Sequence, residues 1–237
     1  YSYIPRVEKI EGDYDYAYIC LNNTIMGTHY EYIPETGNIP LVADISSCVL
    51  SEPLDVSKFG LLFAGAQKNL APAGVTLVII REDLIPEPAD CLPGTPTMLA
   101  YKTHADNGSM YNTPPVFSIF MMNETLKWLK SIGGVPAIQK INQQKADLLY
   151  SEIDRNPLFV GTAAKEDRSL MNVCFVMAPG YETLQDEFLA FAKDHGMIGI
   201  KGHRSVGGFR ASLYNACTVE DVQALVDCMK EFEELKK

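Results

Sequence analysis

Four short, uninterrupted apolar runs in the first 80 residues most constrain the fold of this chain. They are YAYICL, IPLVA, GLLFA and GVTLVII, and they cover 16–21, 39–43, 60–64 and 74–80. Because the runs do not alternate with polar residues, they are typical of strands that are covered on both faces in parallel or mixed sheets. We therefore expect an α/β domain that is built on a mixed, mostly parallel sheet.

The rest of the chain is richer in helical sequence. The spacing of apolar residues predicts helices over 115–131, 136–154 and 184–195, and a capping box at Thr218 and Asp221 predicts the start of a last helix. Further strands are expected at 171–177, 197–200 and 209–214. In the helix at 115–131, the apolar residues available for burial are Phe117, Phe120, Met121, Leu126 and Leu129.

The order of these elements predicts two domains. Residues 1–135 are expected to belong to a large α/β domain, and residues 136–237 to a smaller α+β domain. The glycine pair Gly133-Gly134 lies close to the expected boundary, where it ends one helix before the next begins.

Composition excludes several classes of function. The chain has 20 basic and 30 acidic residues and a net charge of −10, which argues against nucleic acid or an anionic membrane as a partner. No apolar stretch approaches 18 residues, and no signal peptide opens the chain, so a membrane span is not expected. The six cysteines form no CxxC pair, which argues against a structural zinc site and favours free thiols in a reducing cytoplasm.

One lysine stands out by its surroundings. Between Lys58 and Arg81 the only charged residue is Lys68, in the segment FAGAQKNLAPAG. An unpaired lysine in an apolar setting is poorly solvated, which favours its neutral amine, the form that Schiff-base chemistry needs. A lysine in a surface turn after a strand would explain the same pattern.

One aspartate has similar surroundings. Asp44 follows the run IPLVA, and no other charged residue occurs between Glu35 and Glu52. A carboxylate at the end of a buried strand lies where open α/β sheets bind ligands, although a turn or cap residue would also fit. Together, Asp44 and Lys68 follow successive strands, and pyridoxal-phosphate enzymes use an aspartate and a lysine on one cofactor.

A third candidate site is a stretch without acidic residues. Residues 195–219 contain no Asp or Glu, and within them Lys201, His203, Arg204 and Arg210 are interleaved with glycines. Arginine suits phosphate and carboxylate, and glycine lets the backbone approach an anion closely. A glycine-rich hairpin with solvated cations is the alternative.

Just before the helix at 115–131, the segment DNGSMYNTPP could bind phosphate through free backbone N–H groups, or it could be an ordinary helix cap.

Taken in order, these segments resemble phosphoserine aminotransferases. The stretches that carry the resemblance are LNNTIMGTHY, LVADISSCVLSEPLDVSKFGLLFAGAQKNLAPAG, DNGSMYNTPP, GGVPAIQKINQQKADLLY and IGIKGHRSVGGFRASLYNA. The family resemblance implies an aspartate-aminotransferase-type fold, a homodimer with active sites at the subunit interface, and pyridoxal 5′-phosphate as cofactor.

The resemblance also implies a role for each candidate residue. Lys68 would carry the cofactor, and Asp44 would hold its pyridine nitrogen. Five further residues match cofactor or substrate ligands. Thr24 matches the residue that hydrogen-bonds the ring hydroxyl of the cofactor, and Gln67 matches a ligand of the cofactor phosphate. Asn112 and Thr113 match residues that reach the cofactor phosphate of the neighbouring subunit. Arg210 matches the arginine that holds the substrate α-carboxylate. His203 and Arg204 match the pair that recognises the substrate phosphate.

The implied reaction is amino transfer between L-glutamate and 3-phosphohydroxypyruvate, which gives O-phospho-L-serine and 2-oxoglutarate in serine biosynthesis. Some members of the family also act on a phosphorylated hydroxythreonine in vitamin B6 synthesis. Family members carry a further third at the N-terminus, so we expect a separate N-terminal fragment or a truncation, and little activity from this polypeptide alone. Two other interpretations remain open: another aminotransferase or desulfurase of the same fold, and a non-catalytic binding remnant.

Overall fold

Nine strands and five α-helices are present in the described part of the chain, residues 1–7 and 9–237 of the computed structural model. The strands are β1 (Ala17–Cys20), β2 (Asn22–Asn23), β3 (Thr28–His29), β4 (Leu41–Asp44), β5 (Leu61–Gly65), β6 (Thr76–Ile80), β7 (Phe159–Gly161), β8 (Asn172–Met177) and β9 (Phe209–Ser212). The helices are α1 (Tyr101–Asp106), α2 (Val116–Ser131), α3 (Val135–Arg155), α4 (Gln185–Asp194) and α5 (Val219–Leu235).

The first sheet has the strand order β1–β4–β5–β6. The β1–β4 and β4–β5 pairs are parallel, and β6 runs antiparallel to β5. In this register Asp44 lies between Cys20 on one side and Phe63 on the other. The carboxyl ends of the three parallel strands therefore meet at one edge, and the expected mixed, mostly parallel sheet is confirmed.

The two faces of this sheet differ. One face presents Ile19, Ala43 and Leu62, which are buried in a hydrophobic core. The other face is partly open, with Tyr18 54% exposed. The prediction that both faces are covered is thus wrong for the described residues. Apolar side chains such as Val78 lie on the exposed face, so the strands do not show the alternation of apolar and polar residues that would indicate an open face.

The second sheet is antiparallel and has the order β7–β8–β9. A separate hydrophobic core, to which α3, α4 and α5 contribute, packs against it. At its centre the ring of Phe188 lies 4.8 Å from that of Phe159 and 5.1 Å from that of Phe209, centroid to centroid. These edge-on contacts bury large apolar surfaces in a dense core. The predicted domain boundary near residue 135 stays a prediction.

Several sequence predictions of local structure need correction. Residues 197–200 are not a strand, since only an isolated bridge between Lys201 and Phe209 forms there, and glycines flank and interrupt that short apolar run. The β2–β3 hairpin, α1 and β7 were not predicted. The capping box at Thr218 and Asp221 is confirmed at the start of α5.

Helix α2 forms where the sequence predicts it, but most of its apolar side chains are not buried. Leu129 is 5% exposed, whereas Phe117 and Phe120 are 67% and 56% exposed. The expectation of burial is therefore wrong for most of this face within the described chain. No helix among the described residues is long and apolar enough to cross a membrane.

Candidate active site

Lys68 lies in a tight turn just after β5. The turn is closed by the N–H groups of Leu70 and Ala71, which both donate to the carbonyl of Ala66. The Lys68 amine points back to the hairpin region and donates to Thr24 Oγ1 at 2.8 Å. An amine at the carboxyl edge of a parallel sheet, bonded to one hydroxyl, is well placed to meet a ligand.

Thr24 is held by the turn between β2 and β3. Asn23 Oδ1 accepts hydrogen bonds from the N–H groups of Ile25 and Met26, both at 3.1 Å. The turn closes at Gly27, whose φ of +73° favours glycine. These side-chain-to-backbone bonds explain why a segment with the sequence of a polar loop is ordered.

A buried polar network anchors the same hairpin. Asn22 Nδ2 donates to Ser47 Oγ at 2.8 Å and to Asn172 Oδ1 at 2.9 Å, and Ser169 Oγ donates to Asn22 Oδ1. Because Asn172 belongs to β8, this network ties the Thr24 turn to the second sheet. Buried networks of this kind rigidify the groups around them when their partners are satisfied.

Asp44 is the last residue of β4, and it lies on the partly open face of the first sheet. Its Oδ1 accepts the N–H of Ser46 at 2.8 Å. Burial raises the pKa of the neighbouring Cys20 thiol, the negative charge of Asp44 raises it further, and the positive charge of Lys68 lowers it. The charges of Asp44 and Lys68 therefore act on one thiol from adjacent strand ends.

Arg210 reaches this region from β9, in the second sheet. Its Nη1 donates to the carbonyl of Thr24 at 3.4 Å. Thr24 therefore contacts Lys68 through its hydroxyl and Arg210 through its backbone. Thr24 thus links the Lys68 amine of the first sheet to the Arg210 guanidinium of the second sheet.

The glycine-rich loop before β9 brings His203 close to Arg210. Both residues line one small cavity of about 60 Å³. The loop is closed by the N–H of Gly202, which donates to the carbonyl of Gly208 at 2.8 Å, and a Cβ at position 202 would lie 1.9 Å from the carbonyl oxygen of Gly207. Close approach of the backbone therefore requires the glycine at 202.

The predicted phosphate-binding pair is more open to solvent. His203 Nδ1 lies 2.7 Å from Ser205 Oγ, and Arg204 is exposed. The structure thus places His203 and Arg210 at one cavity and leaves Arg204 exposed to solvent.

The remaining candidates have no hydrogen bond to the Lys68 amine among the described residues of this chain. Gln67 is exposed, and its side-chain amide packs over Gly65. Asn112 and Thr113 are exposed and line a different cavity of about 700 Å³ between β6, α1 and α2. Within one chain, therefore, the structure does not bring Asn112 or Thr113 to the amine.

Sequence reasoning missed two residues that contact this region. Cys20 shares a face with Asp44, and Tyr214 lines a cleft of about 410 Å³ together with Lys68. Neither residue carries a motif. Only the parallel register of β1 with β4 could have indicated Cys20, because it places that residue directly opposite Asp44.

The family model described as aminotransferase class-V matches residues 5–225. The chain belongs to the class-V aminotransferase family. This membership fits a lysine, an aspartate and an arginine that converge on one edge of a mixed sheet.

A curated relative and two solved structures are similar over nearly the whole chain. The phosphoserine aminotransferase of Bacteroides fragilis is 55% identical over 235 residues, which are 99% of this chain and 65% of the relative. A solved phosphoserine aminotransferase from Bacillus circulans subsp. alkalophilus is 44% identical, with a TM-score of 0.91 over 96% of this chain and 62% of that one. A pyridoxal-phosphate-bound phosphoserine aminotransferase from Trichomonas vaginalis is 42% identical, with a TM-score of 0.88 over 93% and 61%.

These comparisons confirm the aspartate-aminotransferase-like fold that the resemblance implied. They also show that the chain spans only about 65% of the length of the curated relatives it matches.

The shared influence of Asp44 and Lys68 on Cys20 predicts opposite effects of two substitutions. In Asp44→Asn, loss of the negative charge lowers the Cys20 pKa, so more thiolate forms and alkylation by iodoacetamide speeds up about two- to fivefold. In Lys68→Met, loss of the positive charge raises that pKa, and alkylation slows by a similar factor. Peptide mass mapping at pH 8 measures both rates, with Cys91 as the internal reference. Rates that change in the same direction in both variants would contradict the arrangement.

Proposed function

We propose that this chain supplies the lysine, aspartate and anion-binding residues of a phosphoserine aminotransferase. The reaction would transfer an amino group between L-glutamate and 3-phosphohydroxypyruvate, giving O-phospho-L-serine for serine biosynthesis. The observation that carries the proposal is the double contact of Thr24, whose hydroxyl accepts from Lys68 and whose carbonyl accepts from Arg210. Family membership and the named relatives support it.

The residues at this edge fit pyridoxal 5′-phosphate by their chemistry. They offer an amine at Lys68, a carboxylate at Asp44 and a hydroxyl at Thr24, the three groups that would hold the aldehyde carbon, the pyridine nitrogen and the ring hydroxyl. Asp44 and Lys68 are each half-buried, so both remain reachable from the open face of the sheet. When bound, the cofactor would supply an electron sink for the substrate α-carbon.

Lys68 would have two tasks. Its Nζ would hold the cofactor, and after release by the incoming amine the same nitrogen would take the proton from the substrate α-carbon and return it during transfer. The hydrogen bond to Thr24 Oγ1 at 2.8 Å would orient Nζ for both tasks. Asp44 would keep a proton on the pyridine nitrogen, and the Ser46 N–H that donates to Oδ1 would fix the carboxylate for this contact.

Substrate recognition would come from the second sheet. Arg210 would bind the α-carboxylate, because a guanidinium presents two parallel N–H donors to a carboxylate. His203 and Arg204 would bind the substrate phosphate from the loop next to Arg210, and this loop has no acidic side chains of its own between 195 and 219.

A homodimer would complete the site. Asn112, Thr113 and Gln67 would contribute to the cofactor phosphate, the first two across the subunit interface. Two observations support this arrangement: Asn112 and Thr113 lie in a cavity that Lys68 does not line, and the adjoining helix α2 exposes Phe117 and Phe120. A separate N-terminal fragment is a further partner in this proposal, and activity of the 237-residue chain alone is expected to be low.

Two alternatives make different predictions. Another aminotransferase of the same fold would not need His203 and Arg204 for a phosphate. A non-catalytic remnant would not take up the cofactor. The phosphorylated hydroxythreonine of vitamin B6 synthesis carries the same phosphate group, so it would use the same loop.

The phosphate assignment is tested by ligand binding to the cofactor-treated chain. The substitution Arg204→Ala is expected to weaken the binding of O-phospho-L-serine about tenfold and to leave the binding of L-serine unchanged, because loss of an ion pair with a phosphate costs on the order of 1–2 kcal/mol. Isothermal titration measures both affinities. Arg81→Ala, which removes an exposed arginine paired with Asp83, is the control. Equal loss for both ligands, or none, would contradict phosphate recognition at this loop.

A further inference from the structure

Three consecutive backbone carbonyls in the loop after β4 each accept a hydrogen bond from an asparagine side chain of a different segment. The segments are the Lys68 turn, the turn after β9 and helix α3. The bonds are Asn69 Nδ2 to the carbonyl of Val49 at 2.7 Å, Asn215 Nδ2 to that of Leu50 at 3.0 Å, and Asn142 Nδ2 to that of Ser51 at 3.0 Å.

This loop needs such partners. Its N–H groups form a helical turn, in which Val49 donates to the carbonyl of Ile45 and Ser51 to that of Cys48. The turn ends at Leu50, which has a φ of +58°, so the chain leaves the helical path and the last carbonyls have no helical donors. Buried carbonyls without partners are costly, and the asparagines satisfy them.

The same asparagines also bond to each other. Asn215 donates its backbone N–H to Asn69 Oδ1 at 2.9 Å, and Asn142 Nδ2 donates to Asn215 Oδ1 at 2.9 Å. All three side chains are buried. We call Asn69, Asn142 and Asn215 the asparagine clamp.

Asn69 directly follows Lys68. Its two hydrogen bonds fix the backbone of the Lys68 turn both to the loop after β4 and to Asn215. The turn that contains Asn215 is itself held by the buried Lys145, whose Nζ donates to the carbonyls of Leu213 and Tyr214. The position from which the Lys68 side chain extends is therefore set by both halves of the molecule.

We propose that Asn69 is a positioning residue for Lys68, acting through the asparagine clamp. It would hold the lysine backbone so that Nζ reaches Thr24 Oγ1, and the reaction would depend on this placement. The proposal rests on the function proposed above, in which Lys68 carries the cofactor. Small displacements of a reacting group lower rates steeply, so loss of the clamp at Asn69 should slow chemistry at Nζ.

The test compares Asn69→Ala with Asn156→Ala in the 237-residue chain. Asn156 is an equally buried asparagine in the other core, where it donates to the carbonyl of Met229 and accepts the N–H of Leu158. Both variants should lower the thermal unfolding midpoint. Only Asn69→Ala should slow attachment of pyridoxal 5′-phosphate to Lys68, by about tenfold, and speed amide hydrogen exchange at 66–71. Borohydride trapping with peptide mapping follows attachment, and mass spectrometry follows exchange.

The attachment rates and the exchange at 66–71 together decide whether Asn69 positions Lys68. Equal attachment rates and equal exchange at 66–71 in the two variants would overturn the positioning role. If the unsubstituted chain attaches no cofactor, the proposed function fails, and the exchange at 66–71 alone decides whether the clamp holds the turn. Should Asn69→Ala fold too poorly, the isosteric Asn69→Asp replaces it. That variant keeps the acceptor for the Asn215 N–H and loses the donor to Val49, so it should change attachment and exchange in the same directions.

Discussion

Replacing Lys68 with alanine is expected to abolish covalent attachment of pyridoxal 5′-phosphate to this chain. Lys68 is the only lysine between Lys58 and Arg81, and its amine points to Thr24 at the carboxyl edge of the first sheet. The expected result is complete loss of the visible absorbance after incubation with the cofactor, and of the borohydride-trapped peptide in mass spectra.

The matched control for this experiment is Lys58→Ala. Lys58 is exposed, and it lies at the end of a short 3₁₀ turn before β5. The Lys58→Ala variant should leave the visible absorbance and the amount of trapped peptide unchanged. A yellow Lys68→Ala protein with a trapped adduct would show that the cofactor is held elsewhere, and the assignment of Lys68 would be wrong.

Replacing Lys145 with methionine is expected to lower the free energy of unfolding by about 3 kcal/mol. Lys145 is 0% exposed, and its Nζ donates to the carbonyls of Leu213, Tyr214 and Cys217 at 2.9–3.0 Å. Methionine fills a similar volume but cannot donate to these three carbonyls, of which that of Tyr214 keeps the N–H of Cys217 at 2.8 Å as a second donor. Urea unfolding, followed by circular dichroism, measures the loss.

The loss of stability in Lys145→Met should also depend on pH. Burial lowers the pKa of Lys145 from its ordinary 10.5, with partly opposing effects from Cys217 and Asp221. The folded state therefore binds this proton less tightly than the unfolded state does. As pH rises towards 10.5, the unsubstituted chain gains stability that Lys145→Met cannot gain, so the difference between their free energies of unfolding should grow as the pH approaches that value.

The control for the second experiment is Lys140→Met, on an exposed position of the same helix α3. Its effect should stay within about 0.5 kcal/mol. If Lys145→Met were as stable as the unsubstituted chain, or if the difference shrank at higher pH, the carbonyl-capping role of Lys145 would be contradicted.

Local patterns in the sequence predict much of the fold. The parallel strands β4 and β5, the helices α3, α4 and α5 and the capping box at Thr218 all follow from apolar runs, periodicity and turn residues. The isolation of their charges in the sequence singles out Asp44 and Lys68 as candidates. The structure places both at the carboxyl edge of the first sheet, at the ends of neighbouring strands.

The rest depends on contacts between distant segments. The exposure of Phe117 on α2 could not be read from the sequence, because apolar periodicity shows which side chains share a face and not what covers that face. The prediction of a strand at 197–200 failed because a short apolar run does not ensure a ladder partner. The link from Thr24 to Arg210 joins residues 186 positions apart, and no local pattern reports such a distance.

Thr24 gives the molecule a mechanical property. Its hydroxyl is bonded to the lysine of one sheet and its carbonyl to the arginine of the other. Because the Asn22–Asn172 hydrogen bond ties the Thr24 turn to the second sheet, a rotation of the second core against the first would strain the bond between Lys68 and Thr24. The placement of the Lys68 amine is therefore coupled through Thr24 to that of the Arg210 guanidinium. A ligand that displaces the Arg210 guanidinium is therefore expected to shift Thr24 and, through it, the Lys68 amine.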